Sequence, residues 1–142
     1  MNNQKSLQCH ARSNTNVILD VIENDPEWAA WSQSQLDAAS LKFPLVINPV
    51  IYAELSIAYQ RIEELEAMIK SAGLRLESIP REALFLAGRV FLKYRQQRGT
   101  RSGVLLEFFI GAHAAVAGIP LLTRDINRYR TYFPSLKLIA RE

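Results

Sequence analysis

The chain has 142 residues, 49% of them hydrophobic and 22% charged, the size and balance of one globular domain that closes its own core. Its lone cysteine, Cys9, excludes an intrachain disulfide. No apolar run approaches the roughly 20 residues that span a bilayer, and Met1 to Lys5 leads into no hydrophobic signal core, so a reducing, cytoplasmic location is expected. The net charge of +3 is unevenly spread, with 6 Lys/Arg against 10 Asp/Glu in residues 1–80 and 11 against 4 in residues 81–142.

The first twelve residues have the least regular pattern. Leu7, Cys9 and Ala11 alternate with Gln8, His10 and Arg12, whereas a central parallel strand covered on both faces reads as a nearly continuous apolar run. Three polar side chains on a buried face would each cost about 1–3 kcal/mol if unpaired. Residues 1–12 are therefore read as an N-terminal tail or a weak first strand, and residues 13–142 as the domain proper. Cys9 and His10 have no partners at a further metal-ligand spacing and are read as part of that tail.

Beyond the segment Asn14-Thr15-Asn16-Val17-Ile18-Leu19-Asp20, the triplet Asp25-Pro26-Glu27 is a helix start. Aspartate caps, proline fits the first helical position, and glutamate favours the positive end of the dipole. That helix is expected to run to about Ser40, with Trp28 and Trp31 on one face beside Leu36 as a core or subunit-contact stripe. Leu45-Val46-Ile47 is a short buried strand, and Asn48-Pro49 repeats the start signal for a helix carrying Glu54. A helix over Ile62 to Ala72 ends at Gly73, which suits a left-handed cap. Leu74 to Ile79 reads as a strand whose Arg75 and Glu77 fit an exposed edge, and Pro80-Arg81-Glu82 begins a long basic helix ending at Gly99. Phe108 to Ala117 is helical and rich in small residues, so it lies close on its neighbours. Ile119 to Thr123 is a strand, Asn127 to Tyr132 a helical turn, and Leu136 to Ile139 a last strand. Strands separated by helices imply right-handed crossovers, so the fold class is α/β: a three-layer α/β/α sandwich with a central parallel sheet.

In such folds ligands collect outside the carboxyl ends of the strands. Asp125 ends the apolar run Ile119-Pro120-Leu121-Leu122, position 14 follows the first strand, Glu54 lies in the helix after the second, and Glu107 opens a helix. All four positions therefore fall at one edge of the sheet. Carboxylates gathered there repel one another and take up protons unless a hard dication neutralises them, so Mg²⁺ or Mn²⁺ is the expected ion. Such an ion acidifies and orients a water for in-line attack on a phosphodiester.

The segment from Asn14 to Asp20, Tyr52-Ala53-Glu54-Leu55, the stretch Leu106-Glu107-Phe108-Phe109-Ile110-Gly111-Ala112-His113-Ala114 and the run ending in Thr123-Arg124-Asp125 together resemble the PIN domain. From Asn14 to the C-terminus, about nine-tenths of the chain, the sequence looks like a bacterial VapC-type toxin ribonuclease of a toxin–antitoxin pair. The resemblance implies a metal-dependent endoribonuclease acting on structured RNA such as tRNA or ribosomal RNA, an antitoxin protein laid across the acidic groove, and a symmetric homodimer. It also implies the catalytic and metal-binding set. The first acid of the family falls on Asn14, the glutamate of the second helix on Glu54, the third acid on Glu107 and the fourth on Asp125. Thr15, Asn16 and Thr123 match polar positions that support the acids. Asp20 matches a common family residue and reads equally as a solvent-facing helix position.

Two of these residues depart from the family pattern. Asn14 offers a neutral amide oxygen where a carboxylate stands, which weakens the hold on a hard cation. Glu107 extends its carboxylate by one methylene, roughly 1.5 Å, where most members have aspartate. The alternative to a nuclease is thus a catalytically impaired PIN module that binds RNA or antitoxin without cleavage. His113 lies six residues past Glu107, about 240° around a helix, and is read as a packing histidine rather than a general base. In the basic half, Arg95, Arg98, Arg101 and Arg124 are the expected RNA contacts, in a cluster that without the acids beside it would read as a solvated face.

Overall fold

A computed structural model of the chain describes residues 7–9, 16–42, 44–101, 103–123 and 126–139. The strands among them are β1 (Leu7–Cys9), β2 (Leu45–Ile47), β3 (Leu74–Leu76), β4 (Leu121–Leu122) and β5 (Leu138–Ile139). Between β1 and β2 lie α1 (Asn16–Ile22) and α2 (Ala29–Lys42), and between β2 and β3 lie α3 (Pro49–Ser56) and α4 (Ile62–Ala72). The helices α5 (Arg81–Gln96) and α6 (Val104–Ala117) connect β3 to β4, and α7 (Ile126–Tyr132) connects β4 to β5.

All the strand pairs are parallel, and the sheet order is β3-β2-β1-β4-β5. The chain moves outward from β1 to β3 and then crosses to the other side for β4 and β5. Right-handed crossovers in both directions cover both faces, giving the expected α/β/α sandwich. Leu7–Cys9, weakly patterned in sequence, form the middle strand: Leu7 and Gln8 lie opposite Leu45 and Val46, and Gln8 and Cys9 lie opposite Leu121 and Leu122. Among the described residues Gln8 is the polar position that enters the sheet, and Cys9 belongs to the sheet rather than to a tail.

Local chemistry sets most boundaries. Asn48 is fully buried and caps α3, its side-chain oxygen accepting from the Ile51 amide at 3.0 Å, with Pro49 next in the chain. Gly73 closes α4 with φ +68°, the left-handed cap expected of it. Asp25 accepts from the amides of Glu27 and Trp28, both at 2.9 Å, so its cap holds a preliminary turn before α2 proper begins at Ala29. At its far end α5 stops at Gln96, three residues before the expected Gly99. The residue with positive φ is Arg98, at +67°, not Gly99. Gly99 has no room for a side chain, because a Cβ there would meet the Tyr94 ring at 2.4 Å.

The core gathers around α6, which buries Val104, Phe108, Ile110, Ala112 and Ala114. Its small residues allow close approach, and at Gly111 a Cβ would come within 2.7 Å of the Phe133 ring. Asp20 is not solvent-facing: it is 4% exposed and accepts from the Ser32 hydroxyl at 2.8 Å, tying α1 to α2. The tryptophan stripe forms a half-buried edge-to-face pair with ring centroids 5.6 Å apart, and Trp31 packs on the core. Among the described residues, uncovered apolar side chains are spread over several elements, with Leu41 and Ile57 the most exposed, and α5 carries Phe85, 67% exposed, with Leu84 and Leu92. Among the described residues no helix is long and apolar enough to cross a membrane.

Candidate active site

Because the strands are parallel, their carboxyl ends share one edge. The crossing from β3 to β4 makes the crevice between β1 and β4 the topological switch point, where ligands bind in doubly wound folds. Thr123 follows β4 at this edge, fully buried, with its amide donating to the Ile139 carbonyl at 2.9 Å. Glu54 stands half-buried on α3, which begins where β2 ends. Glu107 lies in the first turn of α6, which runs back toward the start of β4 and so opens at the same edge. Helix α3 packs against α6, so the elements carrying Glu54 and Glu107 are neighbours.

Asn14, Thr15, Arg124 and Asp125 lie outside the described residues, and of Asn16 only its place at the start of α1 is described. Two of the four expected acid-site positions, Glu54 and Glu107, are therefore placed. Among the described residues alone, no group of three or more His, Cys, Asp or Glu forms a metal cluster.

Glu107 is 6% exposed, and its carboxylate accepts from the guanidinium of Arg128 on α7. A carboxylate taken this far out of water is costly unless paired, hydrogen-bonded or protonated, and Arg128 supplies a pairing charge. The buried oxygen donor already holds a cation, and oxygen donors are what a hard dication takes, so Glu107 fits such an ion. In the sequence Arg128 reads only as one of the basic cluster with Arg124 and Arg130, a group able to neutralise phosphates, and not as a partner of Glu107. Its only local signal is its place three residues after Asp125, and the partner lies 21 residues away in the chain.

A second polar link joins Asn48 to His113 on α6. With the Asn48 oxygen engaged by the Ile51 amide, its Nδ2 faces His113 Nδ1 at 3.5 Å. An amide nitrogen only donates, so Nδ1 accepts and the neutral imidazole carries its proton on Nε2. The contact is long and correspondingly weak. His113 is the packing residue its position suggested, 3% exposed on α6. Burial pulls its pKa below the usual 6.5, opposed by the charge of Glu77.

A PIN domain family profile matches residues 14–134. The chain belongs to the PIN domain family. Solved structures share the fold at low identity. VapBC2 of Rickettsia felis, bound to a DNA fragment from its promoter, matches with TM-score 0.71 and 17% identity over 96% of this chain and 99% of that one. DNA-bound VapBC of Salmonella typhimurium gives 0.67 and 16% over 96% and 98%. A toxin–antitoxin complex from Klebsiella pneumoniae gives 0.61 and 14% over 94% and 96%. No curated protein matches the chain.

In this PIN domain Arg95, Arg98 and Arg101 lie at the α5–α6 turn, 12, 9 and 6 residues before Glu107. Arg95 is exposed and lies over the Phe91 ring at 6.0 Å, Arg98 occupies the left-handed turn, and the Arg101 amide donates to the Tyr94 hydroxyl at 3.1 Å. They share one end of the helical hairpin with Glu107.

The state of His113 makes stability pH-dependent. Its folded pKa is lowered, so between that value and 6.5 the unfolded chain binds the extra proton. Stability is held above about pH 6.5 and is expected to fall as pH drops through it, because a proton on Nδ1 would set donor against donor at Asn48. Urea midpoints at pH 7.5 and 5.5 check this: the native chain should lose stability on acidification, and His113→Leu should lose less.

Proposed function

We propose that this PIN domain is a metal-dependent endoribonuclease toxin of the VapC type, with Asn14, Glu54, Glu107 and Asp125 as its catalytic and metal-binding set. The observation that carries the reading is the buried Glu107 carboxylate holding a cation at the carboxyl edge of a parallel sheet, within a chain of the PIN family. Glu54, Glu107 and Asp125 would hold Mg²⁺ or Mn²⁺, with the Asn14 amide oxygen as a neutral fourth donor and Thr15, Asn16 and Thr123 supporting the acids. Such an ion, when bound, supplies an acidified water and stabilises charge on the leaving oxygen. The chain itself contributes the anionic pocket, its burial, and a basic rim that holds the RNA backbone.

The natural partner is an antitoxin protein, by likeness to the VapBC assemblies, and structured RNA such as tRNA or ribosomal RNA is the substrate. A homodimer accords with the uncovered Leu84, Phe85 and Leu92 on α5. Light scattering at micromolar concentration should give about twice the 16.1 kDa chain mass. A strictly monomeric mass would remove the dimer.

The test is incubation of the purified chain with tRNA in Mn²⁺ and in EDTA, with Mn²⁺ calorimetry alongside. Slow, EDTA-sensitive cleavage that Glu54→Gln abolishes is the expected result. Cleavage indifferent to EDTA and to Glu54→Gln would overturn it. Asn14 favours one second reading, a PIN module that binds RNA without cleaving it. RNA binding with no cleavage in either ion would select that reading.

The basic rim has its own test. If Arg95, Arg98 and Arg101 contact phosphates, RNA affinity should fall steeply with salt, and each alanine substitution should flatten the log–log slope by about one unit. A slope unmoved by all three substitutions would return them to a solvated face.

A further inference from the structure

We propose that Arg128 is a resident counter-cation of the acidic site, which a divalent ion must displace from Glu107 in order to load. The inference rests on the reading of Glu107 as a metal ligand. One oxygen, Glu107 Oε2, takes the Arg128 Nη1 donor, and the two side chains are 7% and 21% exposed. Burial makes that carboxylate costly unless it is paired, hydrogen-bonded or protonated, and a guanidinium is a permanent pairing charge. The pair therefore does without a metal what a metal would do for Glu107.

Arg128 is held in place rather than loosely draped. Its neighbour Tyr129 is fully buried and Phe133 is 4% exposed. Tyr132 packs against Phe108 at 5.1 Å and Tyr94 at 6.1 Å, so α7 is clamped to α6 and α5. The arginine side chain nonetheless keeps about a fifth of its surface in solvent, which gives it a way out. A guanidinium and a dication on one carboxylate repel each other strongly in a partly buried site. Asn14 sharpens the competition, because it removes one of the charges that would otherwise recruit the ion. The result is a Glu107 carboxylate whose charge Arg128 offsets without metal, so that loading at this ligand is set by the competition between the ion and Arg128.

Arginine side-chain NMR on the native chain during a Mg²⁺ titration tests this, with the Arg128 Nε–H signal assigned by its loss in Arg128→Lys. The signal should move in step with Mg²⁺ loading. Mn²⁺ calorimetry should show Arg128→Gln binding about tenfold tighter than the native chain, with Arg128→Lys near native. An Arg128 signal unmoved at Mg²⁺ saturation, or Arg128→Gln with native affinity, would overturn the proposal. Glu107→Gln separates the two levels of the argument. If it leaves Mn²⁺ affinity unchanged, Glu107 is not a ligand and the metal-site reading itself fails. If it weakens Mn²⁺ while Arg128→Gln does not tighten it, only the counter-cation role fails. Should Arg128→Gln not fold, the NMR titration of the native chain decides. Should the native chain bind no Mg²⁺, binding by Arg128→Gln supports the proposal and its absence overturns it.

Discussion

Asn14→Asp is expected to raise Mn²⁺ affinity and RNA cleavage together, each by at least about tenfold. At the proposed metal site the substitution would put a carboxylate in place of a neutral amide oxygen at nearly constant shape, which a hard ion prefers. Even changes outside the ligand set commonly cost 10–100-fold in metal affinity or activity, so gaining a ligand charge should be easy to measure. The variant should also make expression toxic unless an antitoxin is present. A folded Asn14→Asp protein with neither gain would favour the binding module, and Glu107→Asp would then be the next change to try.

The largest expected loss of stability follows Phe108→Ala, about 3–5 kcal/mol by urea unfolding. Phe108 is fully buried, and its ring contacts Phe91 and Tyr94 on α5, Tyr132 on α7 and Phe133 just beyond it, with centroids between 5.1 and 6.4 Å away. Removing it opens a cavity among rings that cannot collapse onto one another without shifting α7. Limited proteolysis should then cut first around residues 126–133. A loss below about 1 kcal/mol would mean that this aromatic cluster does not hold the helices together.

Where a boundary depends on one residue and its immediate neighbours, it was legible in the sequence. Asn48-Pro49 starts α3, Gly73 ends α4, and Leu45-Val46-Ile47 is a buried strand, because capping, left-handed φ and apolar runs are local physics. The middle strand β1 was only faintly legible, since its place comes from pairing with β2 and β4 rather than from its own pattern. Gly99 was read as the end of α5, which stops at Gln96, and its own requirement is steric, a close approach of Tyr94 that sequence does not display. Asp20 was read as solvent-facing as readily as functional because its partner, Ser32, lies on a different helix. The site divides in the same way. The acids stand out as polar residues at the ends of apolar elements, whereas the pairing of Glu107 with Arg128 exists only once α7 folds back on α6.

The most direct measurement of the central claim is cleavage of end-labelled tRNA by Asn14→Asp, made by cell-free synthesis, with and without Glu54→Gln. The expected result is cleavage in Mn²⁺, none in EDTA, and a loss of at least about a hundredfold when Glu54 becomes glutamine. Equal cleavage with and without Glu54→Gln, or cleavage that persists in EDTA, would contradict a metal-dependent nuclease site at this edge of the sheet.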